Sequence, residues 1–212
     1  DIPGFGGTAL PDGDPDLAAT ARHLMDQLPS GPIVLGGLSL GGYCTMAMLR
    51  AGVPDLVGVM LCDTKGTADP EAAGANRVAM AERLEAGTEP SGDVLRGALL
   101  APLLGDTTRA TRPEVVQQTG AWLDEADPRA AAWYMRAMAA RPSSLDVLAE
   151  MDVPVLVLWG DEDALSPDSD QQAMLDVLLR GRGVRIPGAG HLTCVETPDA
   201  VTVAIDEFAS SL

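Results

Sequence analysis

Two patterns of apolar residues alternate along this chain. Short unbroken runs, rich in β-branched residues and closed by turn signals, stand at Ile33–Leu35, Leu56–Cys62, Val155–Trp159 and Val184–Ile186. Runs of that kind mark strands buried on both faces, as in a parallel sheet. Elsewhere the apolar positions recur at helical spacing. Gln171, Met174, Leu175, Leu178 and Leu179 do so within 167–180, which predicts a helix stopped by Gly181. Met46 and Leu49 predict a second helix over 41–51 that ends at Gly52, and a third covers 16–28. Strands alternating with helices imply an α/β fold whose mostly parallel sheet carries helices on both faces.

Between Gly66 and Asp146 the strand signal is lost. Helical stretches take its place at 71–86, 93–100, 113–124 and 129–140, punctuated by prolines at 70, 90, 113, 128 and 142. Several of these prolines fall at first-turn positions, where a missing N–H costs little. The interval reads as a helical insertion. It divides the chain into a first core part over 1–65, a helical cap over 66–146, and a second core part over 147–212.

Composition narrows the partners. With 212 residues and 46% hydrophobic content the chain can bury a real core. Thirty-one acids against fourteen bases give a net charge of −17, so nucleic acid is not expected as a partner. No apolar run approaches the ~20 residues of a membrane helix, so no membrane is expected either. Cys44, Cys62 and Cys194 are odd in number and widely spaced, matching neither a disulfide framework nor a zinc site. We read them as reduced core thiols in a cytoplasmic protein. No metal or organic cofactor is implied, since the Gly36–Gly42 run lacks the Lys-Ser/Thr of a phosphate-binding loop.

That glycine-rich run carries chemistry of another kind. Gly37-Leu38-Ser39-Leu40-Gly41 follows an apolar strand and opens a helix, the context in which a G-x-S-x-G turn presents a serine nucleophile. Gly36, Gly37, Gly41 and Gly42 supply the small neighbours such a turn needs. Serine requires a base, and the chain has only two histidines. His23 lies in a helical run, whereas His191 sits in a glycine-rich loop after the last strand, so His191 is the candidate. A carboxylate must then orient the imidazole. Asp161-Glu162-Asp163 follows the Val155–Trp159 strand, and Asp163 is the choice within it, with Asp161 shaping the turn. Asp63, at the end of Leu56–Cys62, is the rival.

These residues, together with two further motifs, resemble the alpha/beta hydrolase superfamily. Asp1-Ile2-Pro3-Gly4-Phe5-Gly6-Gly7-Thr8 resembles its D-x-P-G-x-G-x-S/T segment, and His191 to Pro198 is similar to its G-H-x-x-x-x-E-x-P ending. The elbow, Leu61-Cys62-Asp63-Thr64 and Arg109-Ala110-Thr111-Arg112-Pro113 look most like 3-oxoadipate enol-lactonase-like and carboxylesterase members. The resemblance implies a serine hydrolase acting on a small to medium ester or lactone, with Ser39, Asp163 and His191 in the family's order. The Leu40 N–H would serve the oxyanion. Cap residues Trp122, Trp133, Tyr134 and Met138 are candidate pocket wall.

By the same resemblance the family's first three strands are absent here, so the chain is expected to be a fragment. The strand leading to Ser39 would then present a bare edge, open to a neighbour such as a second copy, and a second oxyanion donor would be missing. Two rival functions stand beside the esterase. One is a cofactor-free haloperoxidase or perhydrolase with the same triad, which competing nucleophiles would reveal. The other is a ligand-binding protein with an unactivated serine, which a fluorophosphonate would leave unlabelled.

Overall fold

The computed structural model describes residues 1–212. Its elements run α1 (Leu17–Met25), β1 (Ile33–Leu38), α2 (Leu40–Ala51), β2 (Leu56–Cys62), α3 (Glu71–Ala86) and α4 (Ser91–Leu95). A π-helical turn over Arg96–Leu100 leads into α5 (Ala101–Leu103), α6 (Asp106–Thr111), α7 (Pro113–Glu125), α8 (Pro128–Ala140) and α9 (Leu145–Ala149). The chain closes with β3 (Val155–Gly160), α10 (Asp168–Leu175), β4 (Gly181–Ile186), α11 (Thr193–Glu196) and α12 (Pro198–Ala209). The four strands form one parallel sheet in the order β1-β2-β3-β4. The interval between β2 and β3 holds helices and no strand. None of the helices is long and apolar enough to cross a membrane.

Alternation along the central strands builds two cores. Val59, Leu61, Val155 and Val157 face a large cluster shared with α1, α2, α3 and α8. Leu156, Leu158 and Ile186 face a smaller one closed by Val201, Ala204 and Phe208 of α12. Residues that alternate between two buried faces leave no polar position in β3, which is why it reads as an unbroken apolar run. β1 occupies one edge of the sheet, and Val34 on it is 38% exposed.

Several boundaries differ from the sequence pattern. The helix expected to reach residue 180 ends at Leu175, and Gly181, read as its stop, instead begins β4 opposite Val155. The Gly-Arg-Gly-Val start of β4 has no apolar pattern because β4 lies at the other sheet edge; pairing with β3 defines it. β1 likewise continues through Gly36 and Gly37, paired with Met60 and Leu61.

A buried ion cluster ties the helical interval to the sheet-bound helices. The Asp69 carboxylate, with none of its side chain exposed, accepts from Arg77 at 2.6 Å and from Arg141 at 2.9 Å, and Lys65 lies 3.3 Å away. Burial pushes this carboxyl up, but the Arg141 and Arg77 guanidiniums outweigh it and hold it well below the ordinary carboxylate range. Arg141 in turn lies 3.9 Å over the Tyr43 ring of α2. Removing one member of a buried pair strands the other's charge. Asp69→Ala is therefore expected to cost about 3–5 kcal/mol, read as a lower urea midpoint at unchanged slope.

Candidate active site

Ser39 sits between β1 and α2 at φ 52, ψ −115, a left-handed conformation that costs a residue with a Cβ about 1–3 kcal/mol. The surrounding backbone enforces it. Ser39 N–H donates to the Cys62 carbonyl at 2.9 Å, and its own carbonyl accepts from Gly42 N–H at 2.9 Å and from the Thr64 hydroxyl at 2.9 Å. A Cβ on Gly37 would fall 2.2 Å from the Gly41 carbonyl group, so the elbow closes only with glycine at 37. Gly41 was expected to be needed for the same reason and is not, because a Cβ there meets nothing within 4 Å. Gly37→Ala should lower stability by about 1–3 kcal/mol. Gly41→Ala, in a helical position with open space, should leave it unchanged or raise it by up to about 1 kcal/mol. Paired chemical denaturation curves check both.

The loops after β3 and β4 bring the other two expected residues to this serine. His191 Nε2 lies 2.7 Å from Ser39 Oγ, and His191 Nδ1 lies 2.9 Å from Asp163 Oδ2. With its proton on Nδ1 directed at the carboxylate, the ring leaves Nε2 to accept from the serine hydroxyl. Asp163 Oδ1 accepts from Leu165 N–H at 2.8 Å and Ser166 N–H at 3.0 Å, and Oδ2 also accepts from the Ser166 hydroxyl at 2.5 Å. Burial pushes the Asp163 carboxyl up, but these donors and His191 outweigh it and hold it below its ordinary value, so it stays ionised. Leu40, the first residue of α2, has an N–H with no acceptor inside the helix.

Asp63 does not take the acid position. It is fully buried at φ 46, and it accepts from Gly160 N–H at 3.2 Å, Thr193 N–H at 3.1 Å and the Thr193 hydroxyl at 2.6 Å. Asp161, expected to bond its own turn, instead accepts from Gly188 N–H at 2.7 Å in the next loop. Glu162 accepts from Thr107 N–H at 2.7 Å, which ties the acid loop to α6.

Glu196 completes the frame. Buried, it accepts from Gly190 N–H at 2.9 Å and Leu192 N–H at 3.0 Å on either side of His191, and from Gly105 N–H at 2.8 Å. Gly190 fits there because a Cβ on it would fall 2.1 Å from Gly105 N. Sequence reasoning gave Ser166, Thr193 and Thr64 no role. Only Ser166 left a signal, an Asp-x-x-Ser spacing suited to a side-chain turn.

The four candidate pocket residues have different surroundings. Tyr134 is 1% exposed, its hydroxyl donating to the Pro3 carbonyl at 2.9 Å and its ring against Phe5 and Trp133. Trp133 and Met138 belong to the same core cluster, and Trp122 is 46% exposed on α7. Helical periodicity identifies an apolar face without saying what covers it. The cysteines are not uniformly core either: Cys44 is buried, Cys62 half-buried and Cys194 exposed. Burial, then the neighbouring Asp63 charge, pushes the Cys62 thiol up to about 12, so it is no rival nucleophile.

The sequence pattern of the family described as "Alpha/beta hydrolase family" matches residues 1–204. The chain belongs to this family. A thermophilic esterase from Thermogutta terrifontis is similar, with a TM-score of 0.88 and 36% identity over all of this chain and 78% of that one. The enol-lactonase of Burkholderia xenovorans shares the fold, with a TM-score of 0.84 and 22% identity over 99% of this chain and 79% of its own. A Mycobacterium tuberculosis protein named "Putative non-heme bromoperoxidase BpoC" is 26% identical over 208 residues, spanning 92% of this chain and 75% of that protein.

Asp63 makes the stability of this member of the family pH-dependent. Burial, only partly offset by the Thr193 hydroxyl, pushes its carboxyl up to about 7. The folded state therefore holds a proton that the unfolded chain releases near pH 4. Stability from this group is greatest below that value and falls as pH rises toward 7. The stability of wild type minus that of Asp63→Asn should accordingly decline from about pH 4 to about pH 7, as thermal melts across that range would show.

Proposed function

We propose that this chain is a serine hydrolase that cleaves a small to medium carboxylic ester or lactone through an acyl-enzyme. The observation that carries the reading is the continuous contact from Ser39 Oγ through the His191 ring to Asp163, at 2.7 and 2.9 Å. His191 Nε2 takes the Ser39 proton as Oγ attacks the carbonyl carbon, and the carbonyl oxygen gains the charge. Leu40 N–H, at the positive end of α2, is the donor we assign to that oxygen. Collapse expels the alkoxide, which receives the proton from His191. Water, deprotonated by the same nitrogen, then attacks the acyl-enzyme, releases the acid and returns the proton to Ser39. Asp163, ionised throughout, stabilises the imidazolium that forms twice in each turnover.

The substrate class rests on the likeness to the Thermogutta terrifontis esterase. The helical interval between β2 and β3 is assigned as a cap over the site, because Gly105 and Thr107 bond the carboxylates of Glu196 and Glu162 on the histidine and acid loops. The likeness to the named bromoperoxidase supports one second reading, in which hydrogen peroxide replaces water at the acyl-enzyme and gives a peracid. Peracid yield in mixed water and peroxide separates the two.

Ser39→Ala is expected to reduce p-nitrophenyl ester turnover by about 10⁴-fold or more, with circular dichroism unchanged. A rate equal to wild type overturns the assignment. Failure of a fluorophosphonate to label the wild-type protein would identify a binding protein with an unactivated serine.

A further inference from the structure

Three strands deliver the proposed nucleophile, acid and base to one edge of the sheet, and the fourth, β2, ends there in a buried carboxylate that the mechanism does not use. Asp63 stands between the other loops. Its Oδ1 takes the N–H of Gly160, three residues ahead of Asp163, and its Oδ2 takes the N–H and hydroxyl of Thr193, two residues past His191. Thr64, the next residue, donates its hydroxyl to the Ser39 carbonyl at 2.9 Å. Two consecutive residues at the end of one strand thus hold all three loops.

We propose that Asp63 is a positioning residue for the Ser39–His191–Asp163 array, fixing the histidine loop against the acid loop and presenting a second negative charge to the imidazolium. The proposal rests on the serine-hydrolase reading above. Burial favours the protonated form of this carboxyl, whereas its three donors and any positive charge that develops nearby favour its ionisation. His191 supplies one whenever it carries the Ser39 proton. The charged and titratable groups around this point are few: Asp163 on the loop after β3, His191 on the loop after β4, Cys62 beside Asp63, and Cys194 and Glu196 on α11. Asp163 is the only one of these that bonds the ring directly.

A residue that only held the fold together would affect stability and leave the imidazole's proton affinity alone. Asp63→Asn keeps the size and one acceptor oxygen while removing the charge, so it separates the two roles. We expect kcat to fall by up to about 10²-fold with KM little changed, since the loops are displaced and the substrate contacts are not. The acid limb of kcat/KM should move to lower pH by about one unit, because the protonated ring loses a stabilising charge. Thr193→Val, which removes one donor and leaves the charge in place, should lower kcat without moving that limb.

The chain has two histidines, so their ring protons are readily followed by NMR, with exposed His23 as an internal reference. Proton uptake by His191 should shift in Asp63→Asn while that of His23 stays fixed. An unmoved acid limb together with an unmoved His191 titration overturns the proposal. If Asp63→Asn does not fold, an acid limb that moves in Thr193→Val as far as that one-unit expectation overturns it instead, since that variant keeps the charge. A wild-type protein that hydrolyses no ester and takes no fluorophosphonate would instead defeat the hydrolase reading on which this one rests.

Discussion

Parallel strands end side by side, and this geometry governs everything at the site. Neighbouring strands lie about 4.8 Å apart, so Ser39 on β1 and His191 beyond β4 leave the sheet about three spacings, or 14 Å, from each other. A contact of 2.7 Å between them must therefore be made by loops. Loops are mobile unless their backbone groups are bonded. Here the bonding is done by carboxylates: Asp63 holds Gly160 and Thr193, Asp161 holds Gly188, and Glu196 holds Gly190 and Leu192.

This use of acids gives the composition a second meaning. A net charge of −17 reads first as a solvated surface. Yet the interior also holds acid side chains, and they are satisfied in two different ways. Asp69 is neutralised by guanidiniums and anchors the helical interval. Asp63 and Glu196 take backbone N–H and hydroxyl donors and no cation. The first arrangement fixes helices to one another, whereas the second fixes loops.

Much of this was legible in the chain because its signals are local. An apolar run followed by Gly-Leu-Ser-Leu-Gly specifies a strand, a turn and a helix within ten residues, and α3 over Glu71–Ala86 lies where its composition puts it. The acid cluster after β3 was legible as a cluster only. Which partner each acid takes depends on Gly188, Thr107 and His191, which are 27, 55 and 28 residues away in sequence. The start of β4 was hidden because a glycine-rich edge strand is defined by its neighbour's hydrogen bonds. That Tyr134 and Trp133 pack in the core was not legible, because a helix's apolar face looks the same whether it meets a ligand or another helix.

The shared carboxylate of Glu196 couples two parts of the molecule that sequence keeps far apart. Gly105 bonds one of its oxygens; Gly190 and Leu192 bond the other. Glu162 grips Thr107 in the same manner from the acid loop. Residues 105–107 cannot swing outward without breaking these bonds or dragging the imidazole's own segment with them. The positions of residues 105–107 and of the loop that carries His191 are thus set jointly, through one carboxylate.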